Sequence, residues 1–357
     1  MKISGYHKEI GDITTLLMNW NDIDKYDKVY VSKVFDYSIV PIDLDTYGNV
    51  EYGGTGFFYD DAKPLPEEIE HHKPDYNLYV PWVNEMISKG RKRKEFEYYL
   101  DYSIGFTTRG CFRKCSFCVN KKYDKVQLHS PIEEFLDENK KYICLLDDNI
   151  LGHPEWKEII NKLKLTNKYF QFKQGMDERL ITEEKAKILS NCKYKGDYIF
   201  AFDNINDKEL IKNKLSIWKK HCNKTTKLYV LCAYDRENKY DMEFWEQDII
   251  NTFERIKILM QYQCLPYIMR FKNYGLSPFR GIYINLASWC NQPNFFKKKS
   301  FREWCIADAE RKPLKTCSTL QYMNEFEQKY PEIAKKYFDL KYENYKGIDI
   351  ISNCVTM

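Results

Sequence analysis

The sequence predicts an α/β protein built around an open, partial (β/α)6 barrel of the TIM type over residues 101–300. A small Rossmann-like α/β domain precedes it (1–100), and a helical C-terminal extension follows (301–357). Three observations predict this. From residue 100 onward, short β-branched and aromatic runs alternate with helically spaced apolar residues, the pattern of parallel strands joined by crossover helices. The run of six such units suits an open barrel better than a closed eight-stranded one. Hydrophobic residues make up 43% of the 357, and aromatics 16%, so a large core is within reach despite the abundant lysine.

Taken in order, residues 2–7 read as a first strand, 10–20 as a helix and 28–35 (Lys-Val-Tyr-Val-Ser-Lys-Val-Phe) as a second strand. Gly53, Gly54 and Gly56 make a flexible loop. Pro66, followed by Glu67 and Glu68, suits a helix start, and Pro74 breaks that segment. The basic run at 89–94 reads as the connection to the barrel. Barrel strands are expected at 102–107, 142–146, 169–174, 198–202, 227–233 and 265–269, with a possible seventh at 281–286. Helices are expected at 131–138, 154–163, 183–190, 207–220 and 243–262. In such folds the chemistry sits at the carboxyl ends of the strands.

Composition excludes several classes. The net charge of +4 is too small to imply nucleic-acid binding. Two basic runs, 89–94 and 297–302, are either solvated loop faces or a phosphate-tracking patch. No stretch of about 18 apolar residues offers a membrane span, and the first residues have no signal-peptide core, so a cytoplasmic protein with no membrane partner is expected.

Twelve cysteines are present, none among the first 110 residues. In a chain expected to be cytoplasmic, clustered cysteines point to metal rather than disulfides. Cys111, Cys115 and Cys118 follow the predicted strand 102–107 with the spacing Cys-x3-Cys-x2-Cys. Three thiolates on one short loop hold three irons of a cubane cluster and leave the fourth iron open to a small molecule. The alternative is a zinc site, for which the second Cys-x2-Cys or His pair is missing. The other cysteines are scattered and read as buried thiols.

This spacing, with Phe117 directly before the third cysteine, resembles the radical S-adenosylmethionine (radical SAM) superfamily, and the resemblance extends over residues 101–290. It implies a [4Fe–4S] cluster on Cys111, Cys115 and Cys118, S-adenosylmethionine on the open iron, and oxygen sensitivity. By the same resemblance Phe117 meets the adenine. Asp147, Asp148 and Asn149, ending the second barrel strand, offer acceptors for the methionine ammonium, unless they only cap the helix near Pro154. Gln174, Asp177 and Arg179 end the third strand and face ribose and carboxylate, unless Asp177 and Arg179 simply pair with each other. Asp203, Asp235 and Arg270 are further positional candidates at strand ends. The implied electron donor is a small protein such as flavodoxin or ferredoxin. The substrate stays open between nucleotide, RNA and peptide.

The segment 32–35, the loop 53–56 and residues 65–76 resemble the subgroup with an N-terminal cobalamin-binding domain. The Asp-x-His-x-x-Gly motif of that domain is absent, so a degenerate domain without cobalamin is expected. Methylthiotransferases carry three more cysteines in their first domain, which this chain lacks. Cys290, Cys305 and Cys317 are either a second cluster or buried thiols. Two other functions compete: a non-catalytic metal-cluster protein that binds nucleic acid, and a cobalamin-dependent radical methylase.

Overall fold

The computed structural model describes residues 1–311 and 318–346, an α/β chain that divides into two compact units, Met1–Phe170 and Gln171–Met357. The first begins with a helix, Lys2–Glu9, where a strand was expected. Tertiary bonds decide this: buried Ser4 donates to Asp75 Oδ2 at 2.7 Å, and Lys2 pairs with Glu70. Gly11, at φ +97°, then stops the helix where the apolar spacing suggested that one starts, and residues 12–19 form no element. Ile13 is fully exposed, so that spacing reports no buried face.

The strands β1 (Val29–Ser32) and β2 (Val50–Gly53) pair in parallel, Val29 opposite Val50. The glycine loop after β2 folds back on the chain leaving β1. Gly56 N–H donates to Lys33 O at 2.9 Å, and a Cβ on Gly54, at φ +104°, would overlap that carbonyl. The glycines are therefore spent on a close backbone crossing.

The next sheet begins with β3 (Tyr102–Gly105). A short antiparallel ribbon of β4 (Thr108–Arg109) and β5 (Gln127–Leu128) follows, and the whole cysteine loop lies between its two strands. The strand β6 (Tyr142–Leu145) pairs in parallel with β3, and β7 (Tyr169–Phe172) completes the order β3-β6-β7 where the first unit ends. Tyr76 locks this sheet, its hydroxyl accepting from Ile104 N at 2.8 Å and donating to Phe135 O at 2.7 Å. The helix expected at 131–138 shrinks to a 3-10 turn, Ile132–Glu134. Phe135 is packed against Gly105, and Asp137 N–H is taken by Ser103 Oγ at 2.9 Å, so the chain cannot wind on.

In the second unit β8 (Tyr198–Ala201), β9 (Thr226–Cys232) and β10 (Leu265–Arg270) form a parallel sheet in chain order. Helices Glu183–Ser190, Lys208–His221 and Met242–Gln261 fall where the spacing placed them. One sheet face is fully dry, with Phe200, Leu228, Val230 and Cys232 at 0% exposure. The possible seventh strand is instead the helix Arg280–Cys290. Its apolar run goes on through Trp289 and Cys290, past strand length, and Gly281 lets Tyr322 pack on its backbone. Helices Phe301–Arg311, Thr319–Lys329 and Pro331–Tyr337 make the expected helical C-terminal part. Among the described residues the sheets are small and no barrel closes. No described helix is long and apolar enough to cross a membrane.

Gly105 has no room for a side chain: a Cβ there would sit inside the Phe135 ring. Gly105→Ala is expected to destabilise the first unit by about 1–3 kcal/mol, as overpacking does, seen as a lower unfolding midpoint in urea.

Candidate metal centre

Residues 110–126 leave the sheet at β4 and return at β5, so the loop has a fixed base. Gly110, at φ +91°, makes its first bend, and a Cβ there would press on Lys125 O at 2.6 Å. Inside the loop Cys118 N–H donates to Cys115 O at 2.9 Å. Cys111, Cys115 and Cys118 are half-buried and in no disulfide, and Phe117 beside them is half-buried too.

The three residues that end β6 all reach for this loop. Asp147, 1% exposed, accepts from the N–H and hydroxyl of both Thr107 and Thr108, at 2.6–3.1 Å. Burial pushes its carboxyl up, and the four bonds oppose that shift. Asp148 bridges the loop, taking Gly110 N–H at 2.7 Å and Asn120 Nδ2 at 2.5 Å. Asn149 Nδ2 donates to Cys111 Sγ at 3.3 Å, while its buried Oδ1 has no partner. Gly152, a little further on, leaves space for the Phe112 ring: a Cβ there would stand 2.7 Å from it.

The donor chemistry fits an iron–sulfur cluster. Arg113 N–H points at Cys111 Sγ (3.5 Å) and Asn120 N–H at Cys118 Sγ (3.4 Å), the bonds that stabilise thiolate sulfur around such clusters. Burial pushes the Cys118 thiol up, and the Asn120 N–H pulls it down. Among the described residues no three His, Cys, Asp or Glu side chains converge tightly enough to hold a metal ion.

The remaining candidates lie in the second unit. Gln174 is exposed. Arg179 pairs with Asp177 at 2.8 Å and with Asp207 at 3.1 Å, the mutual ion pair that the sequence left open. Cys290 and Cys305 are buried, and Cys317 lies outside the described residues. The arginines of the basic runs are paired, Arg91 with Glu95, Arg93 with Asp101, and Arg302 with Glu327 and Asp339. No protein-family profile and no curated protein matches the chain.

Sequence reasoning missed Thr107, Thr108, Gly110, Asn120 and Gly152. A Thr pair between a strand and a cysteine loop was the available signal. It also missed Arg255, buried and donating to Phe202 O, Asp203 O and Leu231 O at the ends of β8 and β9. Glu178 gave no signal at all. It is fully buried, neither carboxylate oxygen has a partner, and burial pushes it up to about 8, with Asp177 adding and Lys214 opposing.

Two predictions follow from these carboxyls. Asp147→Ala leaves the buried N–H groups of Thr107 and Thr108 unpaired, and should cost about 3–5 kcal/mol in chemical denaturation. Folded Glu178 keeps its proton between pH 4.5 and about 8, where the unfolded chain has lost it, so stability falls as pH rises through that window. Glu178→Gln removes this loss. Its gain in unfolding free energy should grow by at most about 1.4 kcal/mol per pH unit from pH 5 to 8, and a gain that is flat with pH would refute the assignment.

Proposed function

We propose that this chain is a radical SAM enzyme that carries a [4Fe–4S] cluster on Cys111, Cys115 and Cys118. The observation that carries the reading is the cysteine loop. Its three cysteines have the spacing of that superfamily, its base is a fixed ribbon, and peptide and amide N–H groups aim at two of the sulfurs. Cys111, Cys115 and Cys118 would hold the cluster, which would supply the electron for reductive cleavage of S-adenosylmethionine to methionine and a 5′-deoxyadenosyl radical.

The chain's own residues then have separate tasks. Asp147 holds the strand that enters the loop, and Asp148 ties Gly110 to Asn120. Asn149 orients Cys111 through Nδ2 and keeps Oδ1 as an acceptor for the methionine ammonium. Phe117 offers its ring to the adenine. Lys121, Lys122 and Lys125 stand exposed on the loop and suit docking of an acidic electron donor such as flavodoxin or ferredoxin. The strand orders β3-β6-β7 and β8-β9-β10, each in chain sequence, are those an open (β/α)6 barrel needs.

The test is anaerobic reconstitution with iron and sulfide, then dithionite and S-adenosylmethionine, with chromatography for 5′-deoxyadenosine. Wild type should form it, Cys115→Ala should not, and Asn149→Ala should form it at least tenfold more slowly at low S-adenosylmethionine. A preparation that holds one zinc and no iron would overturn the reading.

A further inference from the structure

The first unit carries a surface that the candidate metal centre does not use. After β1 the chain continues without regular structure, and Val34, Phe35, Tyr37 and Ile39 stand 64%, 55%, 75% and 87% exposed. The rings of Phe35 and Tyr37 stack on each other at 5.1 Å rather than on a core. At the end of the short helix after β2 (Thr55–Phe58), Phe58 stacks on Tyr52 at 5.7 Å, and Phe58 and Tyr59 are both exposed. The two segments are joined at their backbones. Gly56 N–H donates to Lys33 O and Thr55 Oγ1 to Val34 O, each at 2.9 Å. A Cβ on Gly56 would press on Phe35 O at 2.8 Å, so the two backbones lie in contact. Single exposed apolar residues need no explanation, but exposed aromatic pairs on two segments braced to each other mark an interaction site.

Its charge says what it takes. Residues 33–59 hold Asp36, Asp43 and Asp45 against Lys33 alone, Glu51 being paired with Lys28, in a chain whose net charge is +4. Asp36 sits between the two stacked residues and is exposed, as are Asp43 and Asp45. Carboxylates and aromatic faces both attract cations. Phosphate backbones and anionic lipid surfaces would be repelled. Tyr and Phe anchors with an arginine opposite are also the usual centre of a protein interface.

We propose that this patch is the docking surface for a basic, arginine- or lysine-bearing polypeptide segment. Phe35, Tyr37 and Phe58 take its cationic and apolar side chains, and Asp36, Asp43 and Asp45 form the charged rim. The inference is independent of the metal centre.

The test is random-peptide display selected on the immobilised full chain, with Phe35→Ser/Tyr37→Ser and Asp36→Lys variants alongside. These side chains are exposed, so both variants should keep the wild-type circular dichroism and melting point. Enriched peptides should be basic and should lose binding as salt rises. Their affinity should fall at least tenfold on each variant. Absence of an enriched family, enrichment of neutral or acidic peptides, or equal binding to the variants would overturn the proposal. A concentration-dependent dimer in sedimentation that the double variant abolishes would also overturn it, by making a second copy of the chain the occupant.

Discussion

Three consecutive side chains at the end of β6 fix the loop on which the rest of the candidate centre depends. Asp147 grips the strand that enters the cysteine loop, Asp148 spans from Gly110 to Asn120, and Asn149 touches Cys111 itself. Asp147 makes its four bonds away from water, where an unpaired N–H would be costly. The loop is thus positioned from the end of a sheet strand as well as by contacts among its own residues. A site placed from a rigid element is more precise than one left to a loop.

Much of the second unit was legible because its periodic signals are long. The helices Lys208–His221 and Met242–Gln261 run for 14 and 20 residues, and the alternation along β9 covers seven. The first unit was misread where segments are short and side chains bond far along the chain. Lys2–Glu9 is a helix through Ser4 and Lys2, whose partners Asp75 and Glu70 lie about seventy residues away in sequence. Residues 131–138 lost their helix to Phe135 and Ser103, which no local pattern reports. For 281–286 the apolar run could not separate a strand from a buried helix.

The site was legible in its cysteines and only partly in its support. Spacing alone isolated Cys111, Cys115 and Cys118. The sequence also singled out Asp147, Asp148 and Asn149 as acceptors for an ammonium, but did not show that they brace the loop. Their bonds to Thr107, Thr108, Gly110 and Asn120 depend on β3 and β6 being neighbours, a pairing across about forty residues. Asp177 and Arg179 were visible as charged groups, yet which partner each would take depended on Asp207 in a later turn. Glu178 stood unremarked because nothing in its neighbourhood of sequence signals that it will be buried without a partner.

The central claim is that the three cysteines hold three of four irons and leave the fourth open. Mössbauer spectroscopy of the chain reconstituted with iron-57, with and without S-adenosylmethionine, tests this most directly. The account predicts a [4Fe–4S] spectrum in which one iron site alone shifts on adding S-adenosylmethionine. A spectrum indifferent to S-adenosylmethionine, with all four irons alike, would contradict it.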